Sequence, residues 1–164
     1  MKKLSKIVAL LLAGALTMLL FTACGGGSFT PTSDVEKAEA LYMDAFNTAL
    51  GTNYENDADL EKLAKQVLDD SLDEDGNLKN GKGMIFSEAA GNSVYRVVTI
   101  LAQQGNKKVP YGITSEELAN KDKVIVNVEQ TTKKVTTGLA VGAVKKGDKV
   151  YVAIAMTKDM NLMK

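Results

Sequence analysis

The stretch Asp73-Glu74-Asp75-Gly76-Asn77 has the spacing closest to a known chemistry in this 164-residue chain. Asp73, Asp75 and Asn77 stand at positions one, three and five of a calcium loop, where side-chain oxygens alternate around a hard cation. Such a loop also needs glycine directly after the fifth position and glutamate at the twelfth. Leu78 and Met84 hold those places, so the stretch reads as a polar turn, with Asp69, Asp70 and Glu74 as spare oxygens nearby. The pairs Asp69-Asp70 and Glu116-Glu117 could serve acid–base catalysis if set across a cleft. Sequence neighbours on a helix do not face each other, and helix-end capping accounts for both pairs. Gly81-Lys82-Gly83 is shorter than a phosphate loop, which ends in Lys-Ser or Lys-Thr. No serine stands in a Gly-x-Ser-x-Gly context. The chain has no histidine. That excludes histidine-dependent nucleophiles, an imidazole base and zinc sites built from His and Cys. No catalytic residue, metal ligand or cofactor is assigned, and the expectation is a protein that is not an enzyme.

Cys24, the only cysteine, carries a different chemistry. Lys2, Lys3 and Lys6 precede an apolar run from Ile7 to Phe21. That run is about 15 residues long, whereas a membrane-spanning helix needs about 20, so it reads as an export signal. Leu20-Phe21-Thr22-Ala23-Cys24 then resembles the lipobox of bacterial lipoproteins. Thr22 and Ala23 fit its small positions, and Phe21 stands where the family favours an aliphatic residue. The resemblance implies that Cys24 is acylated and begins the mature chain. Two or more acyl chains hold a protein stably to a bilayer, where one does so only marginally. The other reading is an ordinary secretory signal cleaved nearby, with Cys24 a bystander.

Composition bounds the rest. Removing residues 1–23 leaves 141, enough for one domain with a sizeable core. A single cysteine makes no internal disulfide. Three of the 20 basic residues fall in the removed segment and none of the 20 acidic ones, which leaves 17 against 20 and a charge of about −3. Mild acidity argues against a nucleic-acid partner. Arg96 is the only arginine, and tryptophan is absent. The lysine pairs 107–108, 133–134 and 145–146 read as solvated turns, with anionic lipid heads the other use for them.

The organisation follows. Residues 24–33 form a Gly/Ser/Thr/Pro tether, reaching about 15–30 Å. A single domain spans 34–158, and 159–164 is a tail. Ser33 and Glu36 have capping-box spacing, apolar residues from Val35 to Ala49 recur at helical period, and Gly51 is a stop, which predicts a helix over 34–50. Asn56 or Asp57 caps a second helix whose stripe is Leu60, Leu63, Ala64, Val67, Leu68 and Leu72. A third helix is predicted from Ser87 to Gln104, although Val94–Leu101 is rich in β-branched residues and could be a strand. Thr114 and Glu117 begin a short helix. Strands are predicted at 124–128, 135–144 and 150–157, with a turn at 145–149. The class is α+β: two to three N-terminal helices, then a three-stranded antiparallel β-meander. Glycines 138 and 142 and alanines 140, 143, 153 and 155 predict a smooth sheet that helices approach closely.

Four segments together resemble the CAP superfamily (cysteine-rich secretory proteins, antigen 5, pathogenesis-related proteins). They are Phe46-Asn47-Thr48-Ala49-Leu50, Leu60-Glu61-Lys62-Leu63-Ala64, Gly83-Met84-Ile85-Phe86, and the strand–turn–strand from Val141 to Val152. The resemblance covers about 42–157 and implies a CAP-like α-β-α sandwich. The family's cleft histidines, tryptophan and Ser-Pro-Gly-His segment have no counterpart, so no site residue carries over. The expectation is a lipid-anchored cell-envelope protein on the extracytoplasmic side of the cell membrane. It would bind or scaffold there without catalysis. Its partners would be membrane lipid through acylated Cys24 and an envelope protein or cell-wall component. The alternative is a CAP-like extracellular module that binds a small ligand or metal through a carboxylate cleft, and a carboxylate-based hydrolase is the third.

Overall fold

The computed structural model describes residues 33–163. The expected signal peptide (1–23), the lipidation site Cys24 and the tether up to residue 32 lie outside the described residues. Helix α1 (Asp34–Leu50) starts at a capping box: the Ser33 hydroxyl accepts from the Glu36 amide at 3.2 Å, and the Glu36 carboxylate accepts from the Ser33 amide at 3.1 Å. Gly51 ends it in the left-handed conformation, at φ 75°. Helix α2 (Ala58–Ser71) is capped by Asp57, whose carboxylate accepts from the amides of Asp59 and Leu60. Both helices match the sequence expectation, because capping signal and apolar period agree at each, and Gly51 adds a stop at α1.

Residues 87–104 depart from it. Instead of a helix they belong to a hairpin of β1 (Ile85–Gly91) and β2 (Val94–Ile100), followed by β3 (Ala102–Gln103). The β-branched run decides this, since Val94, Val97, Val98, Thr99 and Ile100 are stiff at χ1 and suit a pleated surface. Gly91-Asn92-Ser93 turns the hairpin, with Ser93 held at φ 61°. Strand β3 pairs with β4 (Asn106–Pro110) in a small excursion, after which β5 (Gly112–Thr114) resumes beside the main sheet. Helices α3 (Ser115–Asn120) and α4 (Gln130–Val135) lead to the long strands β6 (Thr136–Lys146) and β7 (Lys149–Asp159).

Strand β7 is the axis of the sheet. Strand β6 pairs antiparallel with one side of it, from Thr136↔Lys158 to Lys146↔Lys149. On the other side β2 occupies the C-terminal half and β5 the N-terminal half, and β1 lies outside β2. The predicted β-meander is therefore corrected. Residues 124–128 form no strand, and β2, β5 and β1 complete the sheet in their place. The 124–128 alternation is still visible: Val124, Val126 and Val128 are half-buried, while Ile125, Asn127 and Glu129 are exposed. The segment uses that period to pack an extended chain on the sheet face, and residues 122–128 make no backbone–backbone hydrogen bond. The tail is ordered too. Met160–Met163 forms a 3-10 turn, with the Met160 amide donating to the Ser93 carbonyl at 2.8 Å.

Two apolar clusters hold the fold. On one face Leu139, Val141 and Ala143 of β6 and Val150, Val152, Ile154 and Met156 of β7 meet Ala38, Tyr42 and Leu50 of α1. On the other face Ala140, Tyr151, Ala153 and Ala155 meet Leu60, Ala64, Val67 and Leu68 of α2. The two helices thus cover opposite faces of one antiparallel sheet, and with four helices and seven strands among the described residues the class is α+β. Small residues set the approach of α2. A Cβ at Gly142 would stand 2.8 Å from the Ala64 Cβ and 2.9 Å from the Glu61 carbonyl oxygen.

Candidate functional site

Among the described residues helix α1 packs on its face of the sheet mainly against β6 and β7, and not against β1 and β2. The register there pairs Val97 with Met156 and Thr99 with Ile154, so these four side chains point to that face together. They floor an open groove of about 430 Å³, walled by Phe46 of α1 and by Asn127–Glu129 of the extended segment, with Ile85 at its outer rim. The charged side chains lining it are Lys107, Lys158 and Glu129. The volume falls within the range of small-molecule sites, and an apolar lining with a few charges is their usual character. Such a groove can take an apolar ligand or side chain and meet an anionic group with its lysines. A second cavity of about 290 Å³ lies on the α2 face, between Leu63, Gln66, Val67 and Asp70 and the loop Gly81–Gly83.

The densest polar cluster is elsewhere, along the free side of β6. The Asn56 side chain accepts from the Val141 amide at 2.8 Å and donates to the Val141 carbonyl at 3.2 Å, as a neighbouring strand would. It also donates to Glu61 at 2.8 Å. Glu39 accepts from the Ala143 amide at 2.9 Å, and the Tyr54 hydroxyl donates to the Thr136 carbonyl at 3.1 Å. Lys65 lies between Glu39 at 3.0 Å and Glu61 at 2.5 Å. Burial pushes the Glu39 carboxyl above its ordinary value, and Lys65 and the Ala143 amide only partly offset it. Burial also opposes the Lys65 charge, but its hydrogen bonds to the two glutamates raise it on balance. A raised carboxylate beside a lysine often marks catalysis. Here Glu39 Oε1 is engaged by the Ala143 amide and by Lys65, and the cluster covers part of the β6 edge.

No family model, curated protein or solved structure matches the chain.

The residues singled out in the sequence resolve mostly into structure. The Asp73 carboxylate accepts from the amides of Asp75 at 3.0 Å and Asn77 at 2.8 Å, which closes the acidic loop on itself. The ring of Tyr151 fills the space beside Gly76, and its hydroxyl donates to the Asp75 carbonyl. Among the described residues no group of three or more acidic or sulfur ligands could hold a metal. Asp69 meets Lys146 at 2.7 Å, while Asp70 lines the second cavity. Glu117 closes the capping box of α3 and accepts from the Tyr111 hydroxyl at 3.0 Å; its bond from the Thr114 amide is the main cause of its lowered pKa. Asn47, the landmark of the CAP resemblance, bonds the Tyr54 amide and carbonyl and the Thr52 hydroxyl, so it folds the loop after α1. Among the described residues no helix is long and apolar enough to cross a membrane.

The groove itself was not anticipated. Val97 falls within the predicted third helix, and Ile154 and Met156 within the predicted strand 150–157. The available signal is that β2 and β7 are apolar on both faces, while two long helices among the described residues cover the sheet.

Proposed function

We propose that this chain is a lipid-anchored cell-envelope protein, held on the extracytoplasmic side of the membrane by acylated Cys24. It acts without catalysis, by binding an envelope protein or cell-wall component close to the bilayer. The observation that carries the binding role is the apolar groove of about 430 Å³ over Val97, Thr99, Ile154 and Met156, open at the surface beside Lys107 and Lys158. The order of Lys2, Lys3, Lys6, the apolar run and Cys24 supports the anchor. A tether of about 15–30 Å would keep the groove near the lipid heads.

Crosslinking in intact cells tests both halves. The native chain should incorporate a fatty-acid label and capture one or more envelope partners. Cys24→Ala should lose the label and leave the membrane fraction. Thr99→Trp, at an exposed position on the groove floor, should keep the label and lose the capture. A native chain without label would overturn the anchor. Equal capture by Thr99→Trp would overturn the groove.

A second reading, a CAP-like module that binds a small ligand, draws support from α1 and α2 lying on opposite faces of the sheet and from the β6–β7 hairpin. In that reading Glu129 is the carboxylate at the groove.

A further inference from the structure

The β1 and β6 edges of the sheet are treated in opposite ways. On the β6 edge Tyr54 takes the Thr136 carbonyl, Asn56 takes the Val141 amide and carbonyl, and Glu39 takes the Ala143 amide. Among the described residues nothing covers the β1 edge. The Ile100 amide donates to the Met84 carbonyl at 2.8 Å, which fixes the phase of the β1–β2 ladder. By the alternation of antiparallel pairing, Phe86 and Glu88 then bond inward to β2, and Ile85, Ser87 and Ala89 turn their amides and carbonyls outward. Among the described residues none of those six outward groups has a hydrogen-bond partner outside the strand. The strand is exposed at every position but Glu88, with Ile85 67% and Phe86 39% accessible. It carries neither lysine nor proline, the residues that usually blunt an edge.

We propose that this edge is the docking surface for β1 of a second copy of the chain, paired antiparallel across a two-fold axis at Ser87. The strand is self-complementary in that register. Ile85 of one copy faces Ala89 of the other, Ser87 faces Ser87, and all six free groups of each copy are bonded. On the opposite face Phe86 meets Glu88, whose charge is paired with Arg96 at 3.5 Å. A register centred on Glu88 would set two glutamates opposite each other, which is destabilising. A register centred on Phe86 would leave Ala89 unbonded. The contact is isologous, and because the β6 edge is covered at Thr136, Val141 and Ala143, pairing stops at two copies instead of running into a fibre.

The test uses the full chain carrying Cys24→Ala, so that the result does not depend on the anchor. Directly bonded strand partners have Cα atoms about 5.5 Å apart, within reach of a disulfide. Under mild oxidation Ser87→Cys should give a covalent dimer, whereas Thr137→Cys on the β6 edge should stay monomeric. Ile85→Cys and Ala89→Cys should each link poorly alone and link to one another when mixed. All four positions are exposed, except that the Thr137 hydroxyl bonds a carbonyl, so the variants should keep the native circular dichroism. A folded Ser87→Cys chain that stays monomeric would overturn the proposal. So would equal linking through Thr137→Cys, or capture of Ser87→Cys by a different envelope protein in place of itself.

Discussion

At the scale of single residues, Asn56 ties the loop between α1 and α2 to the edge of β6. It spends both ends of its amide on the Val141 backbone and a further hydrogen on Glu61. Two strand groups that would otherwise need another strand are satisfied within the loop between α1 and α2. Removing the amide leaves a part-buried donor and acceptor without partners, and such groups cost about 1–3 kcal/mol each when desolvated. Water can reach this edge once the side chain is gone, which keeps the loss toward the lower end of that range. Asn56→Ala should therefore lower unfolding stability by about 2 kcal/mol, read as a drop in the urea midpoint at unchanged slope. The uncovered edge should also raise concentration-dependent association. Asn56→Asp keeps the acceptor for the Val141 amide but loses the donor, and its carboxylate would lie beside Glu61, so it should not restore the native midpoint.

At the scale of elements, the contact of α2 with β6 depends on the absence of a side chain at Gly142. An added methyl would meet the Ala64 Cβ at 2.8 Å and the Glu61 carbonyl at 2.9 Å, and a helix backbone cannot yield as a flexible side chain can. Gly142→Ala should destabilise by about 1–3 kcal/mol through overpacking, despite the gain in strand preference. Ala64→Gly in the same chain should recover part of that loss, which thermal unfolding of the two variants would reveal. These elements also show how far the sequence was legible. Helices α1 and α2 were readable because a capping residue and an apolar period coincide within each segment, and α3 from its capping box alone. The β6–β7 hairpin was readable from alternation on both sides of Lys145–Lys149. The β1–β2 hairpin was not, because Val94, Val97, Val98 and Leu101 fit a helical stripe as well as a strand. Only pairing with β7, some 60 residues later, separates the two. Residues 124–128 failed for the converse reason. Their period-two pattern is real, but alternation reports a two-sided environment and not a hydrogen-bonded neighbour. The groove inherits both difficulties, since its floor is β2 against β7 and one wall is the extended segment. Cys24, singled out by its position in the sequence, lies outside the described residues.

At the scale of the whole molecule, the carboxylates divide by where the fold puts them, and the division sets the response to acid. Glu117 gains the Thr114 amide and the Tyr111 hydroxyl, and Asp34 gains the Ser115 hydroxyl at 2.5 Å and Lys145 at 3.5 Å, so both are held below their ordinary values of 4.5 and 3.8. The folded state binds their protons less tightly than the unfolded chain. Their stabilisation is present above those ordinary values and is lost as pH falls through the lowered ones. Glu39 has the opposite sign. Burial raises it above 4.5, so the folded state binds its proton more tightly, and its contribution is lost as pH rises from 4.5 through the raised value. The lysines Lys65 and Lys146 are raised above 10.5 by their carboxylate partners, and their contribution is lost only on the alkaline side. The acid groups therefore work in two adjoining windows that meet near pH 4.5. Glu117→Gln should flatten the fall in stability below that point and leave the upper window alone. Glu39→Gln retains an oxygen for the Ala143 amide and removes the titration, so it should flatten the decline just above pH 4.5. Urea midpoints measured every half unit on both variants would check the assignment, because a shared origin for the two slopes would make both variants change the same limb.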